Sequence, residues 1–109
     1  MRLSPLDQDR EYFLCGLAST HNSKGEFEQA LPYAQRAVQE MTTFTTSNMT
    51  LIRSLVGLNR LDEARAAAQK LLEIQPTFTV SHYRVVTPLK SLAEIERNID
   101  AFRRAGLPE

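Results

Sequence analysis

The sequence predicts an all-α fold built from a repeated pair of helices. The segments "GEFEQALPYAQRAVQEMT" at residues 25–42 and "NRLDEARAAAQKLLEIQP" at residues 59–76 match in residue type when they are aligned with a shift of 34 residues. Apolar residues recur three and four positions apart along most of the chain, which is the period of a helical face. No segment shows convincing alternation of apolar and polar residues, so we expect no sheet.

Composition indicates one small globular domain. Of the 109 residues, 42% are hydrophobic and 24% are charged, which is ordinary for a globular chain. Thirteen basic and thirteen acidic residues cancel, which disfavours nucleic acid and membrane as partners, because both are bound through basic surfaces. The sequence contains no run of about 18 apolar residues, which is the length needed to span a bilayer. The N-terminal segment "MRLSPLDQDREY" lacks the apolar core of a signal peptide. We therefore expect a cytoplasmic location.

The first two helices are predicted on either side of Gly25, because glycine readily adopts the positive φ that ends a helix. The apolar face of the first helix is Leu14, Leu17, Ala18 and His21. The apolar face of the second helix is Phe27, Ala30, Leu31, Ala34, Ala37, Val38 and Met41.

The third and fourth helices are predicted on either side of Asn59, which stands where Gly25 stood in the first pair. Asparagine is the other residue that enters the left-handed region at modest cost. The third helix carries Leu51, Ile52 and Leu55, and the face of the fourth is Leu61, Ala64, Ala68, Leu71 and Leu72. Pro76 should end the fourth helix, since proline cannot continue the hydrogen-bond ladder.

A short helix and a last, longer helix are predicted after Pro76. The short helix lies in "FTVSHYRVVTP" and is ended by Pro88. Ser91 and Glu94 fit a capping box at the start of the last helix, and Gly106 marks its end. The apolar stripe of this helix is Leu92, Ile95, Ile99 and Phe102.

These helix pairs resemble the tetratricopeptide repeat, a helix–turn–helix unit of 34 residues. The positions that carry the resemblance are Leu17, Ala18, Gly25 and Ala30 in the first copy and Leu51, Asn59, Ala64 and Pro76 in the second. Asn48, Ile52 and Thr42 depart from the family pattern. The resemblance implies a right-handed α-α superhelix in which small residues lie where two helix axes approach.

The repeat register divides the single domain. Residues 1–8 are assigned to the tail of a preceding repeat, 11–44 to the first repeat, 45–78 to the second, and 79–109 to a partial helix with a C-terminal capping helix. The start "MRLSP" resembles "LEIQP", the end of a second helix, so the chain is expected to be the C-terminal part of a larger bacterial protein. Its end, "AFRRAGLPE", resembles the ends of repeat regions that close class III adenylate/guanylate cyclases or winged-helix regulators.

We expect no catalytic residue, cofactor site or metal site. Cys15 and His21 are six residues apart and lie on different faces of one helix, so the thiol lacks a neighbouring base. His82 has no second histidine or cysteine at ligand spacing. The acidic pair Asp62 and Glu63 is at a helix N-terminus, where the helix dipole favours it.

The resemblance also implies a concave groove lined by the first helix of each repeat. Its candidate residues are Tyr12, Cys15, Ser19, Asn22, Met49, Arg53, Val56 and Tyr83. This mixture of aromatic, soft apolar and guanidinium groups suits a peptide or helix. Two alternatives stay open: a partly exposed face without a ligand, or a groove covered by the last helix. Chaperone-binding members hold a terminal carboxylate with a Lys/Asn pair, and Cys15 and Ser19 replace that pair here, which disfavours a carboxylate clamp.

The function that follows is a non-enzymatic interaction or scaffold module for a protein or peptide partner, or for other domains of its own parent chain. One alternative is a regulatory region of a nucleotide cyclase in signal transduction. Another is homodimerisation through apolar surface on the first helix, since like surfaces pair around a two-fold axis.

Overall fold

The computed structural model describes residues 5–40, 45–86 and 91–109, with side chains for all of them except residues 5–13 and 85–86. The described residues form six helices and no strand, which confirms the all-α prediction. The helices are α1 (Pro5–Ser23), α2 (Phe27–Glu40), α3 (Thr45–Gly57), α4 (Leu61–Ile74), α5 (Val80–Val86) and α6 (Leu92–Arg104). Met41, Thr42 and Pro88, which the sequence assigned to a helix face, a proline slot and a helix stop, lie outside the described residues.

The turns of the two helix pairs have the same backbone geometry. Gly25 has a φ of 79° and Asn59 a φ of 61°, so both residues occupy the left-handed region as predicted. Immediately after them, the N–H of Glu26 donates to the carbonyl of His21 and the N–H of Arg60 donates to that of Leu55, each at 2.8 Å. This is the pattern in which a left-handed residue closes a helix C-terminus.

Small residues lie where the paired helices meet. Ala18 of α1 is buried against Ala30 and Ala34 of α2, and Ala64 of α4 is 0% exposed. An alanine side chain permits a short distance between helix axes. The burial of these residues confirms the alanine packing expected from the sequence.

The N-terminal boundary differs from the expectation. The sequence assigned residues 1–8 to the tail of a preceding repeat, whereas α1 begins at Pro5 and continues to Ser23. Proline is favourable in the first turn, where the missing N–H would have no partner inside the helix. Pro5 is thus compatible with the first turn of α1, and residues 1–4 lie outside the described part of the chain.

The C-terminal segment closes the open end of the second pair. α6 packs against α3, α4 and α5, and the ring of Phe102 meets the rings of Phe78 and Tyr83 edge-on, with centroids 5.9 and 5.0 Å apart. The tail after α6 returns to the start of α5, where Val80 N–H donates to the carbonyl of Pro108 at 2.9 Å. The last helix therefore packs over the second helix pair, and its role as a stabilising cap stays a prediction.

Leu92 is a correction to the predicted stripe of α6. Ile95, Ile99 and Phe102 are buried, but Leu92 is 70% exposed. Ser91 caps the helix by accepting a hydrogen bond from the N–H of Glu94 at 3.2 Å. Leu92 is thus the first residue of α6, at the end of the stripe, where the helix has not yet reached the core.

Candidate binding surface between α3 and α6

Two of the groove candidates on α1 are buried against α3. The Sγ atom of Cys15 lies 3.1 Å from the hydroxyl of Ser47. The amide of Asn22 donates to the carbonyl of Thr50 at 3.2 Å and accepts from the hydroxyl of Ser54 at 2.9 Å. Cys15 and Asn22 therefore hold the two repeats together, and a ligand has no access to them in this structure.

The other α1 candidates are Ser19 and Tyr12. Ser19 is half-buried, whereas the side chain of Tyr12 lies outside the described residues. The candidates from α3 and α5 form a separate group with α6 beside them. Met49 is half-buried, and Arg53, Val56 and Tyr83 are buried. The last helix thus covers much of this part of the groove, which is one of the two alternatives left open by the sequence.

A buried polar network joins α3, α5 and α6. Arg53 Nε donates to Asn98 Oδ1 at 3.0 Å, and Asn98 Nδ2 donates to the hydroxyl of Tyr83 at 2.7 Å. Sequence reasoning missed Asn98. Asn98 could have been found from its spacing, because it lies three positions after Ile95 and four before Phe102. That spacing places a polar residue on the core-facing side of an amphipathic helix. Because the network is buried, each member fixes the position of the next.

Burial changes the proton affinities of this network. Desolvation lowers the pKa of Arg53, although Glu94 nearby favours the charged form. Desolvation also raises the pKa of Tyr83 despite its hydrogen bond from Asn98. Burial alone would raise the pKa of Glu94, but hydrogen bonds from Arg97 and Ser23 outweigh it, so the pKa lies below its ordinary value.

Arg53 also contacts α2. Its guanidinium carbon lies 4.9 Å from the centroid of the Phe27 ring, a distance typical of a cation–π contact. The ring reaches Arg53 by lying directly over Gly57, where an added Cβ would be 2.4 Å from the ring atoms. The sequence placed Phe27 on the core face of its helix but gave no sign of this contact with Arg53.

A cleft of about 450 Å³ separates the C-terminal half of α3 from α6. Its lining residues are Arg53, Val56, Gly57, Glu96, Arg97, Asp100, Ala101 and Arg104. On α6, Arg97 pairs with Glu94 at 3.0 Å and Arg104 with Asp100 at 3.2 Å. Glu96 is paired with Arg84 of α5, which lowers the pKa of Glu96. The cleft therefore has a small apolar floor and charged walls.

His21 has the geometry of a packing group. The ring of His21 stacks on Tyr33 with an interplanar angle of 2°, and its Nδ1 lies 2.7 Å from Glu26 Oε1. Within the part of the chain that the structure describes, no three His, Cys, Asp or Glu side chains come together to hold a metal. Among the described helices, none has the length and apolar character to cross a membrane.

A family model described as tetratricopeptide repeat matches residues 22–84. No curated protein and no solved structure matches the chain. The matched range runs from the end of α1 to α5 and contains both turns that carry the left-handed residues.

Proposed function

The chain belongs to the tetratricopeptide repeat family, and on that premise we propose that it is an interaction module that holds a segment of a protein partner in the cleft between α3 and α6. Repeats of this family generally mediate protein–protein interactions and are typically not catalytic. The proposal differs from a groove running along α1, α3 and α5, because α6 fills part of that groove.

The cleft is the observation that carries the proposal. It joins an apolar floor at Val56 and Ala101 to charged groups on both walls. A binding surface with an apolar centre and a polar rim is typical of protein interfaces. The buried network behind Arg53 positions one wall before any partner arrives, which reduces the entropy lost on binding.

Narrower hypotheses stand beside this proposal: a C-terminal region of a larger bacterial protein with a scaffold role, a regulatory region of a nucleotide cyclase, and a homodimerisation module. The tail "AFRRAGLPE" suggested the cyclase hypothesis. Its residues have local contacts here: Gly106 has a φ of 90°, Leu107 is buried, and Arg103 binds Glu109 through two nitrogens. Folding alone explains them, so they lend no support to a cyclase parent.

Photo-crosslinking tests the proposal in the cells that make the protein. Benzoylphenylalanine replaces Asp100, which is exposed on the cleft wall, and in a matched variant it replaces Gln69, which is exposed on α4. We expect covalent adducts with one or a few proteins from position 100 and none from position 69.

The same experiment separates the other hypotheses. Identical adducts from both positions, or none from position 100, would contradict the proposal. An adduct containing only two copies of this chain would replace it with homodimerisation.

A further inference from the structure

Arg53 lines the cleft although the residue is only 9% exposed. Among the described residues, its one hydrogen-bond partner is Asn98, which takes the Nε edge. No buried side-chain nitrogen or oxygen in the described part of the chain lacks a hydrogen-bond partner. The two terminal nitrogens, Nη1 and Nη2, are therefore not fully buried, and Arg53 lines the cleft.

The guanidinium group is fixed in orientation from two directions. The guanidinium carbon lies over the Phe27 ring, 4.9 Å from its centroid, and the hydrogen bond from Nε to Asn98 restricts rotation of the group. Asn98 is itself oriented by its bond to the Tyr83 hydroxyl. A planar donor fork held in this way matches a carboxylate bidentately and loses little entropy on binding.

The other charges of the cleft differ from Arg53 in their partners. Arg97 and Arg104 are engaged with acidic residues of α6 itself, and the exposed pair of Arg104 with Asp100 contributes little energy. The lining residues include three arginines and two acidic residues, Glu96 and Asp100. The excess positive charge favours an anionic group over a cationic one.

We infer that the cleft binds the acidic side chain of a partner protein, an aspartate or glutamate whose carboxylate accepts two hydrogen bonds from the Nη atoms of Arg53, with short aliphatic neighbours over Val56 and Ala101. The inference rests on the proposed function and specifies the chemistry of its partner. It concerns a side chain within a segment rather than a terminal carboxylate.

A purely structural role is the competing explanation of Arg53. A structural role requires the hydrogen bond to Asn98 and the contact with Phe27, but it requires no hydrogen bond from the Nη atoms to a ligand. Desolvation lowers the pKa of Arg53, and a ligand carboxylate would favour its charged form. The two explanations differ in whether the Nη atoms of Arg53 bind a carboxylate that is added to the protein.

Nuclear magnetic resonance of the unaltered, 15N-labelled chain tests whether a carboxylate binds at Arg53. The probe is a peptide blocked at both ends, acetyl-Ala-Val-Glu-Val-Ala-amide, so that it carries a single carboxylate, and the matched probe has Gln in place of Glu. We expect a saturable shift of the Arg53 Nε–Hε resonance with the Glu peptide and affinity lower by about tenfold or more with the Gln peptide, because a hydrogen bond to a charged group contributes about 1.5–3 kcal/mol.

Two variants complete the experiment. Arg53→Lys keeps the charge and loses the planar fork, so the affinity should again fall about tenfold. Arg65→Lys changes an exposed arginine of α4 and should leave the affinity unchanged. If Arg53→Lys does not fold, the resonance shifts of the unaltered chain still decide the question.

Equal affinity for the Glu and Gln peptides, no shift at Arg53, or a larger shift with inorganic phosphate than with the Glu peptide would overturn the inference. Crosslinked partners at position 100 together with no response at Arg53 would leave the interaction module standing and remove the acidic side chain as its ligand. Loss of both results would remove the proposed function as well.

Discussion

Gly57 is the glycine of this chain at which a side chain has the least room. An added Cβ would meet the Phe27 ring at 2.4 Å, whereas a Cβ on Gly16 would meet nothing within 4 Å. Gly16 lies inside α1 and Gly57 is the last residue of α3, so helix propensity favours alanine at both positions, more strongly at Gly16. The difference between the effects of the two alanine substitutions on the free energy of unfolding therefore reports mainly the contact of residue 57 with Phe27.

Replacing Gly57 with alanine should lower the free energy of unfolding by about 1–3 kcal/mol, because the ring must move off Arg53. The matched change Gly16→Ala should raise it by about 0.5–1 kcal/mol through helix propensity. Urea titrations of both variants give the comparison. Stabilisation by both changes would mean that Phe27 does not lie over Gly57.

Ala64 gives a second test at the scale of one residue. The change Ala64→Leu should destabilise the protein by about 1–3 kcal/mol, since the residue is fully buried where α4 meets its neighbours and extra volume strains the packing. Ala66→Leu, at an exposed position on the same helix, should change stability by less than about 0.5 kcal/mol. Similar urea midpoints for the two variants would contradict the helix register.

The backbone conformation of some residues could be predicted from local sequence, whereas the burial of others could not. Gly25 and Asn59 were predictable because their φ values follow from the turn that each must form. Cys15 and Asn22 were placed in a groove because the sequence shows that they share a helix but not which face meets α3. The burial of Arg53 depends on Asn98, 45 residues later in the chain, and no local pattern reports such a contact.

At the scale of helices, the sequence of α6 predicts its apolar face but not the elements that pack against it. Its stripe of Ile95, Ile99 and Phe102 follows from spacing alone, as does the cap at Ser91. Spacing identifies an apolar face without naming what that face covers. The proposed site was therefore only partly predictable. Arg53 and Val56, which line the cleft, were among the predicted groove residues, whereas the α6 wall of the cleft was not predicted.

Glu94 links α6 to the rest of the fold, and its ionisation should make stability depend on pH. Its pKa in the folded state is below the ordinary value of 4.5, so the stabilisation is present above that value and is lost as the pH falls through the folded-state pKa. From about pH 6 to about pH 3, the free energy of unfolding should fall less steeply in Glu94→Gln than in the unaltered chain.

Glu73→Gln provides the matched control, since Glu73 is an exposed residue of α4. Urea titrations at several pH values should give this control a slope close to that of the unaltered chain. If the Glu94→Gln slope equals the control slope, the hydrogen bonds from Arg97 and Ser23 do not stabilise the folded state.

For the whole molecule, α6 and the tail complete a core that two repeats leave open. Repeat arrays need terminal caps because each unit buries its apolar surface only against neighbours. Deleting residues 88–109 removes Phe102 and Asn98 and exposes Tyr83, so we expect aggregation or loss of cooperative melting. Circular dichroism and light scattering give the result; a soluble variant with an unchanged melting curve would show that the cap is dispensable.

The central claim is that α6 is a permanent wall of the cleft and not a removable cover over an open groove. Native-state hydrogen exchange tests it most directly, because it reports the free energy of opening for each element. The amides of Ile99 and Phe102 in α6 should exchange with the same opening free energy and urea dependence as those of Ile52 and Leu55 in α3. Exchange of the α6 amides through a separate opening of lower free energy, with α3 still protected, would contradict the claim.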